Sequence, residues 1–153
     1  TNAIRLLKQA GVEFETGEYE VDESDLSGVH AAEMLGVDPD CVFKTLVARG
    51  DGRNLYVFCI PVAQELDLKK CASAVGEKKL EMVHVKELLG LTGYVRGGCS
   101  PIGMKKKYPT LIDETAQLFD RIYVSAGMRG HQIIVAPDAL AEFVEAKYAD
   151  LTK

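Results

Sequence analysis

At 153 residues the chain has the length of one ordinary domain, and its 47% hydrophobic and 27% charged residues exclude intrinsic disorder, collagen-like repeats and coiled coil. Its formal charge of -5 argues against a protein that coats nucleic acid through overall positive charge. The average hides a division: ten acids and no Lys or Arg lie between Glu13 and Asp40, whereas nine Lys or Arg face three acids between Lys69 and Lys107. The second stretch is either a solvated face or a local surface for a polyanion.

The elements follow in chain order. Ala3, Ile4, Leu6, Leu7 and Ala10 recur at helical spacing, with Gly11 where a C-terminal cap belongs. Residues 12–21 alternate weakly and predict a strand that runs into the acidic Asp22-Glu23-Ser24-Asp25 loop, and 30–35 predict a short helix stopped by Gly36 and Pro39. Two β-branched and aromatic runs, 41–48 and 55–62, joined by Arg49-Gly50-Asp51-Gly52-Arg53-Asn54, predict a hairpin. Then come a helix over 66–75 ending at Gly76, a strand over 79–83 and a helix over 85–89 closed by Gly90. After a glycine-rich loop at 97–103, strands are expected at 110–113, 121–125 and 132–135, and an amphipathic helix at 137–147 with Pro137 in its first turn. Helices and strands intermix without regular β-α alternation, so the expected fold is mixed α/β: a curved mixed sheet or partly closed barrel surrounded by helices, in a single domain spanning 1–153.

The longest uninterrupted apolar run, 55–63, is about half of what a membrane-spanning helix needs, and no signal-like segment opens the chain. A cytoplasmic protein with no membrane partner is expected. Cys41, Cys59, Cys71 and Cys99 have neither CxxC nor disulfide-framework spacing, so reduced thiols are expected. The cysteines and three scattered histidines make no metal-ligand pattern, so neither a metal nor a cofactor is expected.

Three features carry chemistry. Lys44 interrupts the apolar strand 41–48 on the face of Val42, Leu46 and Ala48, and both faces are largely apolar, which predicts a strand inside the sheet. Its ammonium either snorkels to a rim or stands in a cavity as a donor to a carbonyl or phosphate. Gly97-Gly98-Cys99-Ser100-Pro101-Ile102-Gly103 turns sharply and lets main-chain amides approach a ligand. It is no Walker A loop, because Met104-Lys105-Lys106 follows Gly103, and no GxSxG elbow, because Ile102 stands two places after Ser100. Cys99 is either a thiol nucleophile or a small buried hydrophobe. Ser125-Ala126-Gly127-Met128-Arg129-Gly130 is the third feature, a small-residue turn between two strands with Arg129 near its tip.

Phe43-Lys44-Thr45-Leu46, then Gly93 through Gly103, then Lys105-Lys106-Lys107, then Ser125 through Gly130, in this order, resemble the YbaK family of aminoacyl-tRNA deacylases over nearly the whole chain. The resemblance implies a fold similar to the editing domain of bacterial prolyl-tRNA synthetases. It implies trans-editing, chiefly removal of cysteine from proline tRNA, because a pocket for proline cannot exclude a side chain of similar size. Lys44 matches the family's essential lysine, and Thr45 resembles the cysteinyl branch. Gly97 and Gly98 match the catalytic loop, with backbone amides for an oxyanion. Ser125, Gly127 and Arg129 match the second pocket loop, Tyr19 a tyrosine near the site, and Lys105, Lys106 and Lys107 a basic stretch for tRNA. In the cysteinyl relatives the substrate's own thiol attacks its ester, so no protein nucleophile is needed. Ser27 stands where close relatives carry an aromatic residue and Ala126 where they carry glycine, which bears on amino-acid preference; Met104 and Lys107 also depart. The implied partners are aminoacylated proline tRNA and prolyl-tRNA synthetase. The alternatives are a deacylase for alanine or another small amino acid, a non-catalytic synthetase- or tRNA-binding module, and a thiol enzyme using Cys99.

Overall fold

A computed structural model describes all residues from Thr1 to Lys153. Its helices are α1 (Asn2–Gln9), α2 (Gly28–Leu35), α3 (Leu68–Val75), α4 (Val85–Thr92) and α5 (Pro137–Val144). Its strands are β1 (Phe14–Glu18), β2 (Phe43–Arg49), β3 (Leu55–Pro61), β4 (Glu81–Met82), β5 (Thr110–Asp113), β6 (Ile122–Ser125), β7 (His131–Val135) and β8 (Lys147–Ala149). Short 3-10 turns occupy Pro39–Cys41 and Glu114–Leu118.

Side-chain caps set the helix starts. Thr1, Ser27 and Asp67 accept from main-chain N–H groups of the first turns of α1, α2 and α3, satisfying donors that have no partner inside a helix. At α4 the Glu87 carboxylate reaches back to accept from the His84 N–H at 3.1 Å, the carboxylate half of a capping box. Two expected stops move. Gly90 lies inside α4, which runs on to Thr92 and closes at Gly93 with φ +87°. The last helix ends at Val144, where Glu145 turns left-handed with φ +55°, and the residues beyond it form β8 instead of more helix. That strand exists because it pairs in parallel with β5, a contact no local pattern announces.

The strands form two sheets and do not close. One is antiparallel, in the order β1-β7-β6; the other is mixed, in the order β4-β2-β3-β5-β8, with the β3–β5 and β5–β8 pairs parallel. A single parallel bridge between Val42 and Tyr123 joins them. The main core lies between the sheets, where Phe43, Cys59 and Ile112 meet Ile122, Val124, Ile133 and Val135 under α1 and α5. A second cluster packs Ala48, Phe58, Ile60 and Leu111 on the opposite face of the mixed sheet against Cys71 and Ala72 of α3. The β2–β3 hairpin supplies both faces, as its doubly apolar sequence predicts.

The expected interior position of β2 holds for only part of its length. Its neighbour β4 pairs with Ala48 and Arg49 alone. Along Lys44, Thr45 and Leu46 the outer edge of β2 has no strand beside it, and a cavity opens there.

Candidate active site

The cavity measures about 410 Å³. One wall is Tyr19, Leu26 and the start of α2 (Ser27, Gly28, Ala31); the opposite wall is the β4–α4 turn (Met82 to Val85) with Leu88. Val42 to Val47 run along it, the glycine-rich loop enters through Arg96, Gly97 and Cys99, and Ser125 and Gln132 face it from β6 and β7. The α4 wall is tied to β2 by Arg49, whose guanidinium donates to both carboxylate oxygens of Glu87 at 2.9 and 3.3 Å. No carboxylate lines the space, and its Lys and Arg side chains are Lys44 and Arg96. Such a lining suits an ester-bearing or phosphate-bearing ligand.

Lys44 is half-buried on β2, opposite Ile60. Burial lowers its pKa below the ordinary lysine value, partly opposed by the Glu65 carboxylate, and none of the chain's salt bridges uses it. Thr45 beside it is buried, with Oγ1 3.8 Å from Cys59 Sγ, and also lines the cavity.

The two glycines of the loop differ. Gly97 lines the cavity with φ +84°, and its amide donates to no protein group. The Gly98 amide donates to Val95 O at 3.0 Å inside the turn. A Cβ on Gly98 would lie 3.1 Å from Arg129 N and 3.3 Å from Met128 C, so this glycine lets the two loops touch main chain to main chain.

In the second loop Ser125 Oγ accepts from Gly127 N–H at 3.1 Å while the residue faces the cavity. Gly127 stands back from the space; at φ +100° a side chain there would press into Tyr94, with Cε1 2.7 Å from the Cβ position. Arg129 also stays outside the cavity. Its Nε donates to Arg96 O at 2.9 Å and its guanidinium pairs with Glu23 at 3.1 Å, so it clamps the two loops to the acidic segment. Tyr19 is held by its own N–H donating to Gly130 O and reaches the cavity from that segment.

The lysine stretch lies elsewhere. Lys105 Nζ donates to Gly90 O, and Lys107 pairs with Glu145. Lys106 and Lys107 border a separate space of about 280 Å³ against Phe143 and Val144. Cys99 is 8% exposed and burial pushes its thiol up to about 12, partly opposed by a hydrogen bond with Thr92. At neutral pH it is a protonated thiol, a poor nucleophile.

The profile of the aminoacyl-tRNA editing domain family matches residues 26–143. The chain belongs to that family. An Enterococcus faecalis protein described as a candidate Cys-tRNA(Pro)/Cys-tRNA(Cys) deacylase is 48% identical over 99% of this chain and 93% of its own length. A proline–tRNA ligase of Shouchella clausii is 32% identical over 79% of this chain, which spans 21% of that enzyme. The crystal structure of a candidate trans-editing enzyme for prolyl-tRNA synthetase superposes with a TM-score of 0.85 at 24% identity, covering 99% of this chain and 93% of the other, and this likeness shows a common fold. The mixed α/β fold of two sheets is thus the editing-domain fold.

Within that fold, Lys44, Thr45, Gly97, Ser125 and Tyr19 share one cavity, while Gly98, Gly127 and Arg129 build its walls from behind. Gln132 and His84 border the same space and carry no motif signal. The one clue to Gln132 in the sequence is a polar residue immediately before the apolar run Ile133-Ile134-Val135, on the row that Ser125 also occupies.

Proposed function

We propose that this chain is a trans-editing deacylase, a single domain over residues 1–153, that removes mischarged cysteine from proline tRNA. The observation that carries the reading is an ammonium without a carboxylate partner, Lys44, on the open edge of β2, sharing a carboxylate-free cavity with the unpartnered amide of Gly97. The relationship to the Enterococcus faecalis protein supports cysteine as the amino acid.

The chemistry needs no protein nucleophile. The cysteine sulfur attacks the carbonyl carbon of its own ester, a C–S bond forms, the C–O bond to the terminal ribose breaks, and the thiol proton ends on the released ribose hydroxyl. The product is a cyclic thioester. The cavity contributes by holding thiol and carbonyl together. Gly97 N–H donates to the oxygen on which negative charge develops, and Lys44 either holds the phosphate of the terminal adenosine or polarises the ester. Tyr19, Thr45 and Ser125 bound the amino-acid end. Gly98, Gly127 and Arg129 act by holding the loops in register. Lys105, Lys106 and Lys107 lie outside the cavity and meet the tRNA body through its phosphates. With a chain this acidic, prolyl-tRNA synthetase supplies part of the affinity for tRNA.

The test is deacylation of proline tRNA charged with cysteine, alanine or proline. Wild type is expected to release cysteine fastest and to spare proline. Lys44→Ala is expected to lower the rate by roughly 100-fold or more, and Cys99→Ala to leave most of it. Loss with Cys99→Ala instead would support a thiol enzyme, fastest release of alanine an alanyl editor, and no release of any of the three a binding module.

A further inference from the structure

On β7, Gln132 is 6% exposed, and its Oε1 is shut off from solvent with no hydrogen-bond partner. A buried amide oxygen left in that state is destabilising, and replacement by an apolar side chain of similar shape would remove the penalty. The surroundings explain why no protein group satisfies it. Its cross-strand neighbour on β1 is Gly17, which has no side chain, and Leu35 of α2 packs over that gap. Its neighbour on β6 is Ser125, whose Oγ is turned to Gly127 N–H. The Gln132 side chain borders the same cavity as Lys44 and Gly97. A donor brought in by a ligand is what the site lacks.

We propose that Gln132 determines amino-acid specificity: its side-chain amide turns about its terminal torsion so that the oxygen, otherwise closed off, accepts a hydrogen bond from the side-chain S–H or O–H of the aminoacyl group, favouring cysteine and serine over alanine and proline. The assignment rests on the editing function proposed above. The donor that discriminates is a side-chain one on chemical grounds: the α-amine is common to the cysteinyl, seryl and alanyl groups and cannot separate them. A neutral amide oxygen matches a thiol or hydroxyl, and an aminoacyl group with no such donor leaves it unpaired, which is how a polar site rejects a near-isosteric competitor.

The experiment measures binding of non-hydrolysable adenosine analogues whose 3′-amino group carries cysteine, serine or alanine through an amide, by calorimetry, with wild type, Gln132→Leu and Gln132→Met. Wild type is expected to prefer the cysteine and serine analogues. Both variants are expected to lose about tenfold for the serine analogue, less for the cysteine analogue because S–H is the weaker donor, and nothing for alanine. A parallel loss on all three analogues, no loss on any, or a loss with leucine that methionine restores would overturn the assignment. Wild type that binds none of the three overturns the editing reading with it, whereas wild-type binding with parallel losses removes Gln132 alone. Thermal melting of both variants checks folding, and neither should melt below wild type.

Discussion

Lys44 condenses the functional question into one side chain. Its ammonium is disfavoured by burial, and the nearest opposing influence is Glu65, so it loses its proton at a lower pH than a free lysine, whose pKa is about 10.4. If the charged form supports deacylation, the rate falls on an alkaline limb lying below that value, and the limb is absent from whatever activity Lys44→Ala retains; a pH–rate profile of the two proteins checks this. Stability moves the other way. The unfolded chain binds this proton more tightly than the folded one. The penalty is therefore complete below the folded pKa and is relieved as pH rises from there toward the unfolded value. Lys44, Thr45, Gly97 and Ser125 were legible because each stands in a short ordered motif. Gln132 was not, because a lone glutamine in a strand gains meaning only when Gly17 and Ser125 are seen on either side of it. The free amide of Gly97 and the engaged amide of Gly98 were equally hidden, since a glycine pair does not reveal which N–H the turn consumes.

Among the elements, α2 forms the cavity wall that depends most on a close approach. Its first residue, Gly28, sits over Val62, and an added Cβ would lie 2.3 Å from Val62 Cγ1. Gly28→Ala is therefore expected to destabilise by about 1–3 kcal/mol, as overpacking does, and to push α2 off the end of the β2–β3 hairpin. Denaturant unfolding measures the first effect, and a raised KM with little change in kcat would report the second. The helices and the hairpin were readable because caps, glycine stops and apolar spacing are local. What escaped was non-local. The helical pattern of the last helix runs to Lys147, yet α5 stops at Val144 and Lys147–Ala149 pair with β5, and β2 has the doubly apolar pattern of an interior strand while β4 covers only two of its residues.

Across the whole molecule the charge division acquires a geometry. The acidic stretch supplies Tyr19, Leu26 and α2 on one wall of the cavity, and the basic stretch supplies the β4–α4 turn and Arg96 on the other. On the proposed function, the tRNA is expected to approach from the α4 side and not from α2. Within the lysine triplet, Lys105 already donates to Gly90 O and Lys107 to Glu145, which leaves Lys106 without a protein partner. Lys106→Ala alone is expected to reproduce most of the loss in tRNA affinity of the triple alanine variant and to reduce the dependence of log K on log salt by about one. Titrations at several salt concentrations decide it. The uncovered rim of β2 has one more effect, felt between molecules. Bare main-chain donors and acceptors invite a strand from a second copy, and a charge placed among them is how folded proteins repel such a visitor. Removal of the amine on that rim is therefore expected to promote self-association, so Lys44→Ala should sediment partly as larger species at high concentration, whatever its effect on deacylation.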